Sequence, residues 1–244
     1  MYIHTTYKIR KMKSTLFTLL GAGLLFVSAC KDAPKGDVAE TGDAQTVTLT
    51  EGSASVDVNT AASSLEWIGT KMSTYHPGTV AIKSGNLMVK DGQLTGGKFV
   101  IDMPTLKTLM GNEADAKLTG HLQSPDFFDV AKYPEASLEI TSVKAFDGAA
   151  TTGGDQAEIN EYSVSDPNVT ISANLTIKGI TKGITFPAKV TVNPTDASAV
   201  AKFNINRKDW GIVYPGMPDD LIQDLIWFGV SIKAELPAAE TALN

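Results

Sequence analysis

Ionisable side chains that could do chemistry are few and scattered along this 244-residue chain. His76 and His121 lie in separate segments, and the single cysteine, Cys30, is far from both. A zinc site needs several ligands at close spacing, and neither histidine has such partners. The sequence also lacks a G-x-S-x-G nucleophile elbow, a phosphate-binding loop and a dinucleotide-binding fingerprint. These observations predict a protein that is not an enzyme and that holds no metal or cofactor.

One cation departs from the pattern of its surroundings. In AKFNINRKDW (201–210), Arg207 shares a face with Phe203 and Ile205 if the two-residue period of a strand continues. A guanidinium among apolar side chains is costly unless it has a partner or lies at a wet rim. One interpretation places Arg207 at the mouth of an apolar cavity, facing the polar end of an amphiphile. The other ends the strand at Asn206 and pairs Arg207 with Asp209 or another carboxylate, and the two are compatible. The candidate head-group contacts are Lys71, His76, His121, Arg207 and Asp209.

Alternating hydrophobicity is the main structural signal of the chain. The segment VTISANLTIKGITKGITFPAKVTV (169–192) alternates apolar and polar residues on both sides of a turn, which predicts a hairpin with one apolar face. Further strands are predicted in LEWIGTK, GTVAIKSG, ASLEITSV, VAKFNINR and WFGVSIKAEL, and a strand–turn–strand unit in NLMVKDGQLTGGKFVIDM. The side chains predicted to line the interior are Trp67, Phe99, Ile101, Met103, Leu138, Ile140, Ala173, Leu175, Ile177, Phe186, Ala188, Phe203, Ile205, Val230 and Ile232.

Two neighbouring segments show helical signals instead. In PTLKTLMGNEADAKLTGHLQS, Leu106, Leu109 and Met110 are spaced as on one side of a helix. In SPDFFDV, Ser124 is expected to cap a helix that begins at Pro125. About eight mostly antiparallel strands with one helical interruption predict an all-β barrel or sandwich.

The first thirty residues predict export and lipid anchoring. Basic residues precede an apolar stretch, Leu16–Val27, which is too short to span a bilayer and suits the core of a signal peptide. The run Val-Ser-Ala-Cys that ends at Cys30 resembles the bacterial lipobox, whose cysteine receives diacylglycerol. The alternative is a plain secretory signal with an incidental thiol. We expect a lipid-anchored protein of the cell envelope, on the periplasmic or the outer-membrane and surface side.

The chain divides into four predicted parts. These are a signal peptide (1–29), Cys30 with a flexible tether (30–53), one β domain (54–237) and a C-terminal tail (238–244). The tether is rich in small and acidic residues and has no sustained apolar period. The net charge of the chain is −6. Without the basic residues of the predicted signal peptide, the net charge of the rest of the chain is more negative still. Such a body repels nucleic acid and anionic membrane surfaces, so nucleic acid is excluded as a partner.

Several blocks of the β domain carry a family resemblance. HLQSPDFFDVAKYPEASLEITSV, ANLTIKGITKGITFPAKV and FNINRKDWGI closely resemble signature blocks of the polyisoprenoid-binding YceI-like family. ASSLEWIGTK with YHPGTVAIKSGNLMVKDGQLTGGKFVIDM is similar to its start, and the resemblance covers about residues 54–236. It implies an extended, antiparallel, eight-stranded lipocalin-like β-barrel with a short helical cap and a long tunnel for a polyprenyl chain or similar lipid. It also implies an exported protein, often a homodimer, without established catalytic residues. Pro77 and a long loop around Gly153-Gly154 depart from the family pattern.

Together these features predict non-enzymatic carriage of a long apolar ligand: a polyisoprenoid, an isoprenoid quinone or a similar lipid. An eight-stranded barrel is near the size at which the interior either fills or holds one ligand, and small inward residues favour the second. Each isoprene unit would bury roughly four CH₂ equivalents, on the order of 3 kcal/mol. The tail would therefore supply affinity, and polar groups at the mouth would select the head. The alternatives are a lipid-modifying enzyme of the envelope and a structural surface lipoprotein with a filled barrel.

Overall fold

A computed structural model of the protein describes residues 32–48, 50–148 and 160–236. The predicted signal peptide, Cys30, the Gly153-Gly154 loop and the C-terminal tail lie outside the described residues. The described elements are β1 (Glu40–Gly42), β2 (Ala54–Asp57), β3 (Ser64–Thr70), β4 (Tyr75–Lys90), β5 (Gln93–Thr108), α1 (Ala114–Gln123), β6 (Glu135–Ala145), β7 (Val169–Ile177), β8 (Ile180–Val192), β9 (Asp196–Asn206), a 3-10 helix (Arg207–Trp210), β10 (Gly216–Met217), β11 (Asp220–Leu221) and β12 (Leu225–Glu235).

Eight of these strands close into an antiparallel barrel. The ring runs β3, β4, β5, β6, β7, β8, β9 and β12, and it closes where β12 pairs with β3. β1 adds to β8 and β2 to the second half of β4, while β10 and β11 form a small separate sheet. The predicted all-β, eight-stranded antiparallel barrel with one short α-helix is confirmed for the described part of the chain.

The predicted hairpin of residues 169–192 is present as β7 and β8. Ile171 and Ile177 on β7 and Ile184 on β8 are buried, as expected for alternate residues on one sheet face. Lys178 and Gly179 form the turn, both with positive φ, which matches the twist of the two strands.

The hairpin of β4 and β5 is longer than its sequence pattern predicts. A break is expected between GTVAIKSG and NLMVK, whereas β4 runs without interruption over Tyr75–Lys90. The pairing of β4 with β5 contains register shifts, one of them between Ile82 and Ser84. These shifts allow the strand to continue where the alternation of apolar and polar residues changes. At Gly85, a β-carbon would lie 2.8 Å from the Phe99 ring. Glycine at this position therefore makes room for an aromatic side chain of the partner strand and does not end the strand.

Helical structure begins later than the spacing of apolar residues predicts. β5 continues to Thr108, which pairs with Gly78, so Leu106 is a buried strand residue and Leu109 is exposed. The start of β4 pairs with Lys107 and Thr108, and this strand pairing overrode the local helical spacing. α1 follows at Ala114–Gln123. No helix in the described ranges combines the length and apolar character needed to cross a membrane.

The prediction that Ser124 caps a following helix is wrong. Ser124 is the residue that ends α1, and its hydroxyl donates to the carbonyl of His121 at 2.7 Å. Residues 125–132 continue as turns. The same hydroxyl that can cap a helix start can satisfy a free carbonyl at a helix end, and the tertiary structure selects the second role.

Part of the segment that composition predicts as a flexible tether packs on the barrel. Asp37 and Ala39 form backbone hydrogen bonds with Asn204, and β1 then pairs with β8. Pro34 is fully buried, and the Asn204 amide donates to the carbonyls of Pro34 and Gly36 at 3.0 and 3.2 Å. Backbone pairing with an available strand requires no apolar pattern, which is why composition alone did not reveal it.

The two ends of the barrel differ. The end that carries α1, the 3-10 helix and the β10–β11 sheet is called the capped end, and the strand termini that define it are Thr70, Thr108, Ile177, Asn206 and Leu225. The opposite end, called the far end, carries the short Asp91-Gly92 turn, the connections 58–63 and 193–195, and the connection between β6 and β7, of which residues 146–148 and 160–168 are described. All eight strands of the barrel run between these two ends.

Candidate functional site: an apolar cavity in the barrel

A cavity of about 190 Å³ lies inside the barrel. All eight barrel strands and α1 contribute side chains to its wall, and almost all of these are apolar. The wall residues that carry polar side-chain groups are Thr70, Lys71, His76, Arg207 and Gln223, together with the indole of Trp67. The first five of these residues lie at the capped end. The cavity is therefore apolar along its length and polar at one end.

The cavity is long and narrow. Along β5 its wall extends from Leu94 near the far end to Leu106 near the capped end. This stretch spans about 40 Å of strand, or roughly 30 Å along the barrel axis at a tilt of about 40°. Compact ligand pockets usually hold about 300–1,000 Å³. A volume of about 190 Å³ over such a length suits a slender hydrocarbon chain better than a compact molecule.

Small side chains keep the cavity open where β8 meets β9. Ala188 and Ala201 lie opposite each other in this ladder, and both are on the wall. Nearer the capped end, Phe186 and Phe203 stack with ring centroids 4.3 Å apart. The wall therefore combines open alanine positions with rigid aromatic faces.

Nearly all of the side chains predicted to line the interior lie on the cavity wall. The exceptions are Ala173 and Ile205, which are almost completely buried but do not line it. Both belong to the set of alternate residues that point into the barrel, so their burial agrees with the sequence pattern. Whether the remaining residues contact a ligand stays a prediction.

The α1 region contributes wall residues that sequence reasoning missed. Leu118 and Leu122 are four positions apart on α1, and both face the cavity. Phe127 and Phe128 in the following turns also line it. The four-residue spacing was a usable signal, because such residues share one face of a helix. The alternation rule for strands could not find these residues.

Hydrogen bonds at its base hold α1 over the capped end. The Asp115 carboxylate accepts from the backbone N–H groups of Met110 and Gly111 at 2.9 and 2.8 Å. These bonds, with that from Met110 the largest influence, lower the pKa of Asp115. The hydroxyl of Thr108 donates to the carbonyl of Asp115. The same hydroxyl lies 3.1 Å from the hydroxyl of Thr119. The end of β5 and the start of α1 are thereby joined.

Arg207 combines features of both interpretations of its sequence. β9 ends at Asn206, and Arg207 opens the 3-10 helix with its side chain on the cavity wall and only 2% exposed. Its guanidinium donates to the carbonyls of Ile212, Ile222 and Gln223 at 2.6, 3.3 and 3.0 Å.

The carboxylate that faces Arg207 is that of Asp224, at 3.5 Å, which the sequence did not single out as its partner. Burial lowers the pKa of the Arg207 guanidinium, and the charge of Asp224 opposes this shift. Arg207 therefore fastens the segment 212–224 across the capped end.

His76 and Lys71 lie together on the wall at the capped end. The Nδ1 atom of His76 is 3.0 Å from the Met110 sulfur, and its buried Nε2 has no hydrogen-bond partner in the described structure. Burial lowers the pKa of His76, and the nearby Lys71 charge lowers it further, whereas Asp220 raises it. Lys71 forms an ion pair with Asp220 at 3.2 Å. The hydroxyl of Thr70 is also buried without a partner. This corner offers uncommitted polar atoms beside an apolar cavity.

The other two head-group candidates, His121 and Asp209, do not line the cavity. The His121 ring contacts the rings of Phe127 and Tyr214 edge-on, and its Nε2 is 3.3 Å from Asp126. Within the described ranges, no group of three or more histidine, cysteine or acidic side chains is arranged to hold a metal ion. The structure thus brings three of the five candidates together at the cavity.

The sequence profile of the YceI-like domain matches residues 55–236 of this chain. The chain belongs to the YceI-like family. A curated relative, a UPF0312 protein of Pseudomonas putida, is 30% identical over 145 residues, which are 57% of this chain and 65% of the relative. The match thus spans somewhat less than two thirds of that relative's length.

Solved structures share the fold of this YceI-like domain. Burkholderia cenocepacia BcnA superposes with a TM-score of 0.53 at 16% identity, over 72% of this chain and 99% of BcnA. A polyisoprenoid-binding domain from Saccharophagus degradans, implicated in plant cell wall breakdown, gives 0.52 at 15% identity, over 76% and 99%. At such low identity these similarities establish the fold alone.

Proposed function

We propose that this protein binds one long-chain isoprenoid lipid, a polyisoprenoid or an isoprenoid quinone, with the tail inside the barrel. The observation that carries the proposal is the narrow apolar cavity, whose wall extends along β5 from Leu94 to Leu106. Burial of a hydrocarbon chain there would supply about 0.8 kcal/mol per CH₂ group. Membership of the YceI-like family and the polyisoprenoid-binding name of one structural neighbour support the same ligand class.

The head group is proposed to lie at the capped end. Lys71, His76 and Arg207 line the cavity there, and they remain the main candidates for head-group contacts. His121 and Asp209 would require a head group that extends beyond the cavity wall. Because Arg207 already donates to protein carbonyls, the free Nε2 of His76 and the free hydroxyl of Thr70 are the atoms most available to a ligand.

The same geometry favours binding over catalysis. Lys71 is paired with Asp220, and Arg207 is held by backbone carbonyls and Asp224, so both cations are already engaged by groups of the protein itself. We propose a non-enzymatic carrier that is attached to a membrane of the cell envelope by a lipid on Cys30. Its residence on the periplasmic or surface side, and the homodimer that the family resemblance implies, belong to this proposal.

The test is recovery of a bound lipid from protein purified from its native host. Denaturing extraction and mass spectrometry should find about one isoprenoid lipid per chain, and intact mass should show diacylglycerol on Cys30. Ala201→Phe should empty the barrel by filling the open region between β8 and β9. The matched control is Ala81→Phe, which places the same side chain on the exposed face of β4.

An empty wild-type barrel, or equal lipid content in the Ala201→Phe and Ala81→Phe variants, would contradict carriage in the cavity. Thermal unfolding of both variants checks that they are folded. Gel filtration of the same preparations separates a monomer from a homodimer.

A further inference from the structure

Exposed large apolar side chains in the described structure occur only at the capped end. The five are Leu109, Ile180, Val213, Met217 and Leu221. Val213 and Met217 are 64% and 57% exposed. They come from three separate connections: the segment after β5, the β7–β8 turn and the region between the 3-10 helix and β12. Apolar side chains presented by separate loops at one end are the pattern expected of an interaction surface, because isolated exposures would be distributed over both ends.

The far end has the opposite character in its described connections. These are the Asp91-Gly92 turn, the segments NTAAS (59–63) and NPT (193–195), and residues 146–148 and 160–168 of the connection between β6 and β7. Their exposed side chains are small or polar, and the larger apolar ones, Phe146 and Val164, are partly or fully buried. The asymmetry is therefore a property of the capped end and not of barrel loops in general.

The N-terminal segment meets the barrel near this same end. The Pro34 carbonyl accepts from the side chain of Asn204, two residues before β9 ends at the capped end. Gly36 packs against Trp227, two residues after the start of β12. The four residues from Cys30 to Pro34 can span at most about 14 Å.

That reach decides which end of the barrel an anchor can approach. From Asn204 the capped terminus of β9 is about 7 Å along the strand, whereas the far terminus, Asp196, is about 26 Å away. A lipid on Cys30 can therefore bring the capped end to a bilayer surface. It cannot bring the far end there while Pro34 stays in its buried place.

We propose that the capped end docks on a lipid bilayer, with its exposed apolar side chains in the membrane interface and the polar end of the cavity facing the membrane. This inference rests on the proposed anchor at Cys30 and adds an orientation to it. Docking in this orientation would place the head-group corner of His76 and Lys71 next to the membrane that supplies or receives the ligand. Because the protein is acidic overall, the contact depends on apolar insertion and should persist at high salt.

The experiment uses the full, lipidated protein on phosphatidylcholine vesicles whose acyl chains carry a fluorescence quencher. Cys30 is the only cysteine, and its thiol is blocked by the lipid, so an environment-sensitive dye can be attached at one introduced cysteine. Val213→Cys and Met217→Cys probe the capped end, and Thr195→Cys and Ala62→Cys are the far-end controls. We expect quenching to be about tenfold stronger at the capped end, before and after addition of salt.

Equal quenching at the two ends, or stronger quenching at the far end, would overturn the proposed docking. Salt-sensitive quenching would overturn the apolar basis of the contact. Intact mass that shows no lipid on Cys30 would remove the anchor and overturn the proposal as well. Extraction of the same samples reports lipid in the barrel separately, so carriage and docking can fail independently.

Discussion

The capped end and the far end of the barrel are built from the same strands but by different means. At the far end, the Asp91-Gly92 turn connects β4 to β5. The positive φ angles of these two residues match the twist of the strands, and no contact with another segment is needed for this. The capped end is closed by α1 and by Arg207, whose guanidinium donates to the carbonyls of Ile212 and Gln223, 5 and 16 residues further along the chain. The Asp91-Gly92 turn is set by local backbone geometry, whereas the contacts of Arg207 need the whole connection between β9 and β12 to be in place.

This difference separates stability from ligand handling. The far-end turn fixes the register of the longest hairpin and does not reach the cavity wall. The capped end carries the polar wall residues and the exposed apolar side chains. Changes at the far end should alter only the free energy of unfolding, whereas changes at the capped end should alter both stability and ligand content.

The largest expected effect comes from Arg207. Arg207→Met would leave the carbonyls of Ile212, Ile222 and Gln223 without their donor and should lower the free energy of unfolding by about 3 kcal/mol. Urea denaturation measures the loss. The control is Lys208→Met, which removes an exposed partner of Asp224 and should cost under about 1 kcal/mol. A similar small loss for both variants would show that Arg207 does not hold the capped end together.

The intermediate effect belongs to the far-end turn. Gly92 has φ of 72°, so Gly92→Ala should lower the free energy of unfolding by about 1 kcal/mol without changing the lipid content. Gly96→Ala is the matched control on β5, because the added β-carbon meets Met88 at an ordinary 3.5 Å. Lipid loss from the Gly92→Ala variant would show that the far end affects ligand binding as well as stability.

The smallest effect is a pH dependence at the capped end. Burial lowers the pKa of His76 below 6.5, so the unfolded chain binds a proton at a higher pH than the folded chain does. The stability contributed by neutral His76 is therefore present above pH 6.5 and is lost as the pH falls through the lower folded pKa. His76→Gln should flatten this part of the stability–pH curve relative to the wild-type protein. Identical curves would show that His76 titrates alike in both states.

The sequence predicted the barrel because its signals are local. The alternation in residues 169–192 and the Asp91-Gly92 turn specify strands, faces and turns within a few residues of themselves. Errors arose where a local signal has two solutions. Ser124 can serve either end of a helix, and Leu106 fits either a helix or a strand, so each was decided by the partner that the fold supplied.

The candidate site was predictable in its apolar part and less so at its polar end. Successive side chains of a strand point to opposite faces, so the sequence alone determines which strand residues point into the barrel. Which inward residues border the cavity, as Ala188 does and Ala173 does not, depends on how strands from across the barrel pack against them. The partners of Arg207, the place of α1 and the anchoring of Pro34 on Asn204 were decided by the tertiary structure alone. Arg207 and Asp224 come together when β9 pairs with β12, and Pro34 meets Asn204 across 170 residues of chain, so neither contact can be read from neighbouring positions in the sequence.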